Sequence, residues 1–465
     1  MRVSVVGSGY VGLVSGVCLA EKGHEVVCVD VDERKVEQIN SGIPPIYERG
    51  LEKLLKKNID VNLRATTDLE RAINETELSI MAVGTPFRAG EIDLKYIEDL
   101  SLQIGRVPKN KDAYHVVVVK STVVPGTAQN VVTPILEAAT RKKAGPDFGV
   151  GMNPEFLKEG EAVVDFMNPD RIILGGLDER TLDVMEELYE AFEGVDIVRT
   201  NLKTAEMVKY STNTLLATMI SFSNEIGNLC RALEGIDCVE VLRGLKLDRR
   251  LTPILESGER MVPAFTGYLY SGCGFGGSCF PKDLKALVAH GKKSGQPMRI
   301  LDAVVQVNES QPLELLEILG GHLPSYAGKK VAVLGLSFKP ETDDMRESPA
   351  IPVVRALLEG GAHVQAYDPV AQANAKLLFG DESIDYCQQV EEAIAGVDAI
   401  VILTRWKEFE RLPELLEPLE TQPIVVDGRR MLDKHSVQRY DGIGLGDYVQ
   451  VKLEKEARKD KELEV

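Results

Sequence analysis

Two long stretches of the chain alternate short apolar runs with helical patterns. The first opens on "VSVVGSGYVG" (3–12) and continues through "HEVVCVDVD", "LSIMAVGTP" and "HVVVVKST"; the second opens on "KVAVLGLSFKP" (330–340) and continues through "AHVQAYDP", "DAIVILT" and "PIVVDGR". Such alternation builds βα units on a parallel sheet, and it predicts an α/β protein with two doubly wound parallel-sheet domains, residues 1–200 and 311–465. Between them, residues 203–234 place apolar side chains at 205, 208, 215, 216, 219, 220, 226, 229 and 233. Spacings of three and four predict one long helix, apolar over a face wide enough to be covered on more than one side. This helix and the rest of residues 201–310 are expected to form a helical domain and the spine of a homodimer. The charged C-terminal "KLEKEARKDKELEV" reads as a solvated tail.

At 465 residues the chain exceeds one ordinary core, in keeping with two or three domains. Hydrophobic residues at 44% and charged residues at 27% suit a soluble globular protein, and no apolar run nears the roughly 20 residues that span a bilayer. Met1 leads straight into the strand-like "RVSVVG", so no signal peptide is expected and a cytoplasmic location follows. The net charge of -18 argues against nucleic acid as a partner but leaves room for an anionic small ligand held by a few local cations. Seven cysteines, at 18, 28, 230, 238, 273, 279 and 387, contain no CxxC pair, which suggests neither a zinc site nor a disulfide framework.

Gly7, Gly9 and Gly12 form G-x-G-x-x-G, with Tyr10 and Val11 inside it, directly after an apolar strand and before a helical pattern. Gly7 permits the tight turn, Gly9 lets the backbone approach a pyrophosphate, and Gly12 allows close helix packing, while the helix N-terminus favours the anion. Asp30 ends the next strand 18 residues after Gly12, where a carboxylate accepts from ribose hydroxyls and repels a 2'-phosphate. The Rossmann-like first domain is therefore expected to hold NAD rather than NADP.

None of the six histidines lies in a catalytic setting, so proton transfer must fall to other groups. Lys209 and Asn213 are four apart on the long helix and share a face. Glu155 and Glu159 have the same spacing in "NPEFLKEG", where Asn153 and Pro154 read as the cap and first residue of a helix. In "GFGGSCFPKD" (274–283), Gly274, Gly276 and Gly277 read as clearing access to Cys279. If Pro281 opens a helix, Cys279 stands at its N-terminus beside Lys282, and both favour a nucleophilic thiolate. A structural glycine loop is the alternative.

Together these motifs resemble the UDP-glucose and GDP-mannose dehydrogenase family. The resemblance runs nearly the whole chain, through "GSGYVG", "VGTP", "KSTVVPGT", "NPEFLKEGEAVVDFMNPDRI", "AEMVKYSTNT", "GFGGSCFPKD", "LSFKPETDDMRESPA", "YDP" and "VVDGRRMLD" in order. "NPEFL" and "FMNPDRI" look like its UDP-glucose branch rather than its UDP-N-acetylmannosamine branch. The resemblance implies oxidation of C6 of a nucleotide sugar, UDP-glucose to UDP-glucuronate, with two NAD+ and one water consumed. The intermediate aldehyde has no C–H suited to a second hydride transfer until something adds to its carbonyl. Cys279 is implied to add, giving a thiohemiacetal and then a thioester that water hydrolyses.

By the same resemblance, Lys209 and Asn213 stabilise the developing oxyanion and Asp283 holds a water or Lys209. Thr122 positions the catalytic water, Glu159 joins the water network beside the nicotinamide, and Glu155 is the candidate base for thioester hydrolysis. Phe156, Leu157 and Lys158 are implied to wall the sugar pocket, Phe275 and Gly276 to contact the nucleotide, and Lys339 and Arg429 to hold pyrophosphate and sugar. Lys35, Thr85, Lys282 and Arg346 are implied cofactor contacts. Family members carry a short D-x-R-I-G-like segment whose Arg reaches the neighbouring subunit; here "LDRRLTPILESGER" differs, and Arg249, Arg250 and Arg260 are all eligible. Cys273 is also unusual, and a packing role is preferred to oxidative pairing with Cys279. The same reaction on GDP-mannose or another UDP-hexose, a two-electron hydroxyacid or 6-phosphogluconate type of dehydrogenase, and an NAD-binding sensor without turnover are the alternatives.

Overall fold

The computed structural model of the protein describes residues 1–107, 113–380 and 384–446; the charged tail read from the sequence lies outside them. The chain divides into two compact units, Met1–Thr212 with Lys285–Pro297, and Asn213–Leu284 with the chain from Met298 onward. The helical residues between the two sheets are thus shared between these units.

The first unit is built on an eight-stranded sheet. In spatial order its strands are Asp196–Asn201, Arg171–Gly176, Gly149–Met152, Val116–Val119, Leu78–Met81, Arg2–Val6, Glu25–Val29 and Leu63–Thr66. Neighbours are parallel except Gly149–Met152 and Arg171–Gly176, so the last two strands at that edge run against the other six. The link between those two strands, residues 153–170, holds the six-residue helix Ala162–Met167.

Continuous apolar runs are explained by burial on both faces. In Val116–Val119, Val116 and Val118 feed one core with Val3, Val5 and Leu13, while Val117 and Val119 feed the other with Val6, Met81 and Val150. Each valine buried this way contributes about 1.5–3 kcal/mol of transfer free energy.

In the second unit, a six-stranded sheet runs Ile384–Tyr386, His363–Tyr367, Lys330–Leu334, Ala399–Ile402, Ile424–Asp427 and Tyr440–Gly442, all parallel. The helix Leu202–Ala232 forms as the spacing predicts. Leu215, Met219, Phe222, Ile226, Leu229 and Leu233 follow one another at alternating intervals of four and three. Leu215, Phe222 and Leu229 along this seam are 61%, 45% and 56% exposed. Among the described residues no helix is long and apolar enough to cross a membrane.

Candidate active site

Strand Arg2–Val6 ends on Gly7, whose φ of +101° and whose missing Cβ, 2.7 Å from Ala82 O if present, both require glycine. Gly12 is required by packing, since a Cβ there would lie 1.8 Å from Gly7 O. Gly9 differs: its φ is -74° and nothing lies within 4 Å of where a Cβ would stand. Neither strain nor crowding explains that glycine; room for a ligand at the start of helix Tyr10–Glu21 does. Asp30 accepts from Ser8 N at 2.8 Å and Asp32 N at 3.0 Å, with Lys35 Nζ 3.8 Å away, and the neighbouring Val31 side chain is 94% exposed. A fixed carboxylate for the ribose and an open glycine for the pyrophosphate fit NAD. Thr85 Oγ1 donates to Thr122 O at 2.7 Å, joining the two turns that carry these residues.

Loop 153–160 corrects an expectation. No helix begins at Pro154, so Glu155 and Glu159 do not share a helical face; the next helix starts at Ala162. Asn153 cannot cap because its side chain is used elsewhere, accepting from Lys120 Nζ at 2.8 Å and Tyr189 Oη at 2.5 Å and donating to Ile173 O at 2.9 Å. Gly160, at φ +87°, then turns the chain.

Within this loop Glu155 is buried and pairs with Lys209 Nζ at 3.0 Å. Burial pushes the Glu155 carboxyl up, but Lys209, the Leu157 N–H at 2.7 Å and Lys120 outweigh it and hold the group below the usual carboxylate range. Lys120 is itself buried, which brings its ammonium down to about 8. The Phe156 ring faces Lys209 at 5.5 Å and the Arg171 guanidinium at 4.1 Å. Leu157 packs against the core, whereas the Lys158 ammonium pairs with Glu161 at 2.6 Å and Asp165 at 3.3 Å. Glu206 caps the turn after Thr122 by accepting from Gly126 N and Ala128 N, and burial pushes it up to about 7. Lys120 and Glu206 were not singled out from the sequence. The available signal was a charge in an apolar setting, Lys120 directly after four valines.

In the second unit, Cys279 is the only one of the seven cysteines that is not buried. It caps helix Phe280–Lys293, with Asp283 N donating to Cys279 O at 2.8 Å. Ser278 Oγ lies 3.5 Å from its sulfur. Burial pushes Cys18 and Cys28 up to about 12 and Cys238 and Cys387 up to about 11, which keeps those thiols inert. Asp283 is buried beside it, accepting from Asn213 Nδ2 at 2.7 Å and paired with Lys282 Nζ at 2.8 Å. Cys273 is fully buried and donates to Leu403 O at 3.7 Å, a packing role.

The glycines of this loop serve packing rather than access, contrary to the expectation from sequence. A Cβ on Gly276 would stand 2.3 Å from Glu347 O, and one on Gly277 2.7 Å from the Phe338 ring. Gly274 and Gly277 also have φ of +94° and +85°. Phe275 places its ring among Ala217, Leu284 and Val304, with Phe280 edge-on at 5.9 Å.

Arg429 fixes the same loop. Its guanidinium donates to Leu403 O at 2.6 Å, Gly274 O at 3.1 Å and Phe338 O at 3.5 Å, so its charge meets backbone carbonyls rather than a carboxylate. Lys339 follows Phe338 and lies 5.6 Å from that ring. Arg346 pairs with Asp344 at 2.7 Å, and its carbonyl receives Gly277 N at 2.8 Å. Of the three arginines eligible for a neighbouring site, Arg250 pairs with Asp248 at 2.5 Å and Arg260 donates to Leu247 O and Thr252 O at 2.9 and 2.8 Å.

Three regions of the chain match the UDP-glucose/GDP-mannose dehydrogenase family: its NAD binding domain over residues 1–193, its central domain over 203–310 and its UDP binding domain over 332–434. The chain belongs to that family. It is 40% identical over 448 residues to a UDP-glucose 6-dehydrogenase of Haloferax volcanii, covering 95% of this chain and 100% of the relative. It is 38% identical to a GDP-mannose 6-dehydrogenase of Pseudomonas putida, covering 95% and 100%. The solved structure of a UDP-glucose dehydrogenase from Pyrobaculum islandicum superposes with a TM-score of 0.86 at 38% identity, covering 95% of this chain and 97% of that one. The protein is thus an NAD-dependent nucleotide-sugar dehydrogenase. In this dehydrogenase the Gly9 turn and Asp30 lie in the NAD binding match, Lys209 and Cys279 in the central match, and Lys339 and Arg429 in the UDP binding match.

Proposed function

We propose that this dehydrogenase oxidises UDP-glucose to UDP-glucuronate through a covalent intermediate on Cys279, with the cofactor held by residues 1–200 and the sugar nucleotide by 311–465. The observation that carries the reading is Cys279 as the one thiol out of seven left accessible, at a helix start beside the Asn213–Asp283–Lys282 cluster. NAD+, when bound, supplies the hydride acceptor for each of two oxidations. Lys209 donates to the C6 oxygen as charge develops on it, and the Glu155 carboxylate holds that ammonium at 3.0 Å. The Cys279 sulfur adds to the aldehyde carbon, which keeps the aldehyde bound and presents a C–H for the second oxidation. Water then displaces the thiolate from the thioester, with Glu155 as base. The balance is one alcohol, two NAD+ and one water to one carboxylate, two NADH and three protons.

UDP-glucose is favoured because relatives at up to 40% identity bear that name, whereas the GDP-mannose relative stands at 38%. A panel of UDP-glucose, UDP-galactose, UDP-N-acetyl sugars and GDP-mannose with NAD+ and NADP+ tests the reading. Highest kcat/KM is expected for UDP-glucose with NAD+; a preference for GDP-mannose would overturn the substrate.

We further infer a homodimer through the central helix, because the exposed four-three seam from Leu215 to Leu233 is the pattern that pairs helices. Light scattering is expected to give twice the chain mass of 51.0 kDa, and a monomer would contradict it.

A further inference from the structure

Glu48 belongs to none of the motifs considered so far, yet its buried carboxylate meets both functional loops of the first unit. One oxygen accepts from Gly160 N at 2.8 Å and from the Tyr10 hydroxyl; the other accepts from Ala162 N at 3.1 Å. The Tyr10 oxygen in turn accepts from Gly160 N at 2.9 Å. Tyr10 is the first residue of the helix that follows Gly9, whereas Gly160 and Ala162 close the loop that carries Glu155, Phe156 and Glu159. The other end of that loop is held by Asn153 through Lys120, Tyr189 and Ile173. Burial, and then the neighbouring Glu48, push the Tyr10 hydroxyl well above its ordinary value, so it remains a donor to the carboxylate.

We propose that Glu48 and Tyr10 form a latch between the cofactor turn and loop 153–162, so that both are positioning residues through which cofactor binding orders the loop. A ligand seated against Gly9 fixes the backbone of Tyr10, Tyr10 fixes Glu48, and Glu48 fixes the two amides that end the loop. A hydrogen-bonded chain of buried and half-buried groups with one partner in each loop transmits order in both directions. The sugar-side consequence rests on the proposed function; the coupling of cofactor to loop does not.

The test uses the full chain, NADH as the probe, and the variants Tyr10→Phe, which removes one hydroxyl, and Glu48→Gln, which keeps an acceptor for the amides. In the wild type, NADH is expected to slow hydrogen exchange of amides 157–162 by about tenfold or more, the size of an ordinary coupling between sites. In Tyr10→Phe that slowing is expected to shrink to about twofold, with Glu48→Gln between the two, while the NADH Kd stays within about threefold of wild type. No slowing in the wild type, equal slowing in Tyr10→Phe, or an NADH affinity that falls as much as the protection does would each overturn the latch. These readings need no sugar nucleotide, so they stand even if UDP-glucose proves not to be the substrate. With UDP-glucose, Tyr10→Phe is expected to raise the sugar KM about fivefold with the NAD KM within about twofold, a split that general loosening would not give.

Discussion

Cys279→Ser is expected to bind UDP-glucose as the wild type does while forming UDP-glucuronate at least about 10³-fold more slowly. The substitution is mild structurally. Cys279 occupies the cap position of helix Phe280–Lys293, where serine is among the preferred residues, so the variant is expected to fold with unchanged or slightly higher stability. A fall in turnover therefore cannot be assigned to unfolding. Chemically, a serine hydroxyl is far less acidic than a thiol and an ester is a poorer substitute for a thioester in the hydrolysis step. Steady-state uronate formation together with calorimetric binding of UDP-glucose checks the expectation; near-normal product formation would show that the thiol is not the nucleophile.

Lys209→Met is expected to lower kcat by about 10²–10³-fold, the usual cost of removing a donor aimed at a developing oxyanion. It also leaves Glu155 buried without its main counter-charge, which costs on the order of 3–5 kcal/mol of stability near neutral pH. The pH dependence follows from the sign of the shift. In the wild type the folded-state Glu155 value is depressed, so its contribution is present above the unfolded value and is lost as pH falls through the folded one. Without Lys209, burial dominates and the folded value rises, so the variant is expected to lose stability as pH increases from about 4 to 7. Lys209→Met with Glu155→Gln removes the stranded charge. Thermal melts of the double variant should recover most of the lost stability, whereas turnover should not recover. Recovered activity would contradict both the donor role of Lys209 and the base role of Glu155.

The parts that were legible in the sequence are those set by local pattern. Valines 116 to 119 had to be a strand, and Gly7, Gly12 and Asp30 occupy the positions that a nucleotide turn demands on steric and electrostatic grounds. Cys279 was readable as a helix start because Pro281 suits the first turn. Loop 153–160 was not, because the local cap signal of Asn153 is overridden by partners 20 to 36 residues away. The glycines at 276 and 277 read as ligand access because nothing in the local sequence shows Glu347 or Phe338 pressing against them. Glu48, Lys120 and Glu206 act through groups 33 to 114 positions distant, which no local spacing reveals.

The central claim is that one chain carries out both oxidations and holds the aldehyde on Cys279 between them. Counting NADH against UDP-glucuronate during complete conversion of limiting UDP-glucose tests it most directly. Two NADH per uronate, with no free aldehyde captured by a carbonyl reagent, is the predicted result; one NADH per UDP-glucose with free aldehyde as the end product would contradict it.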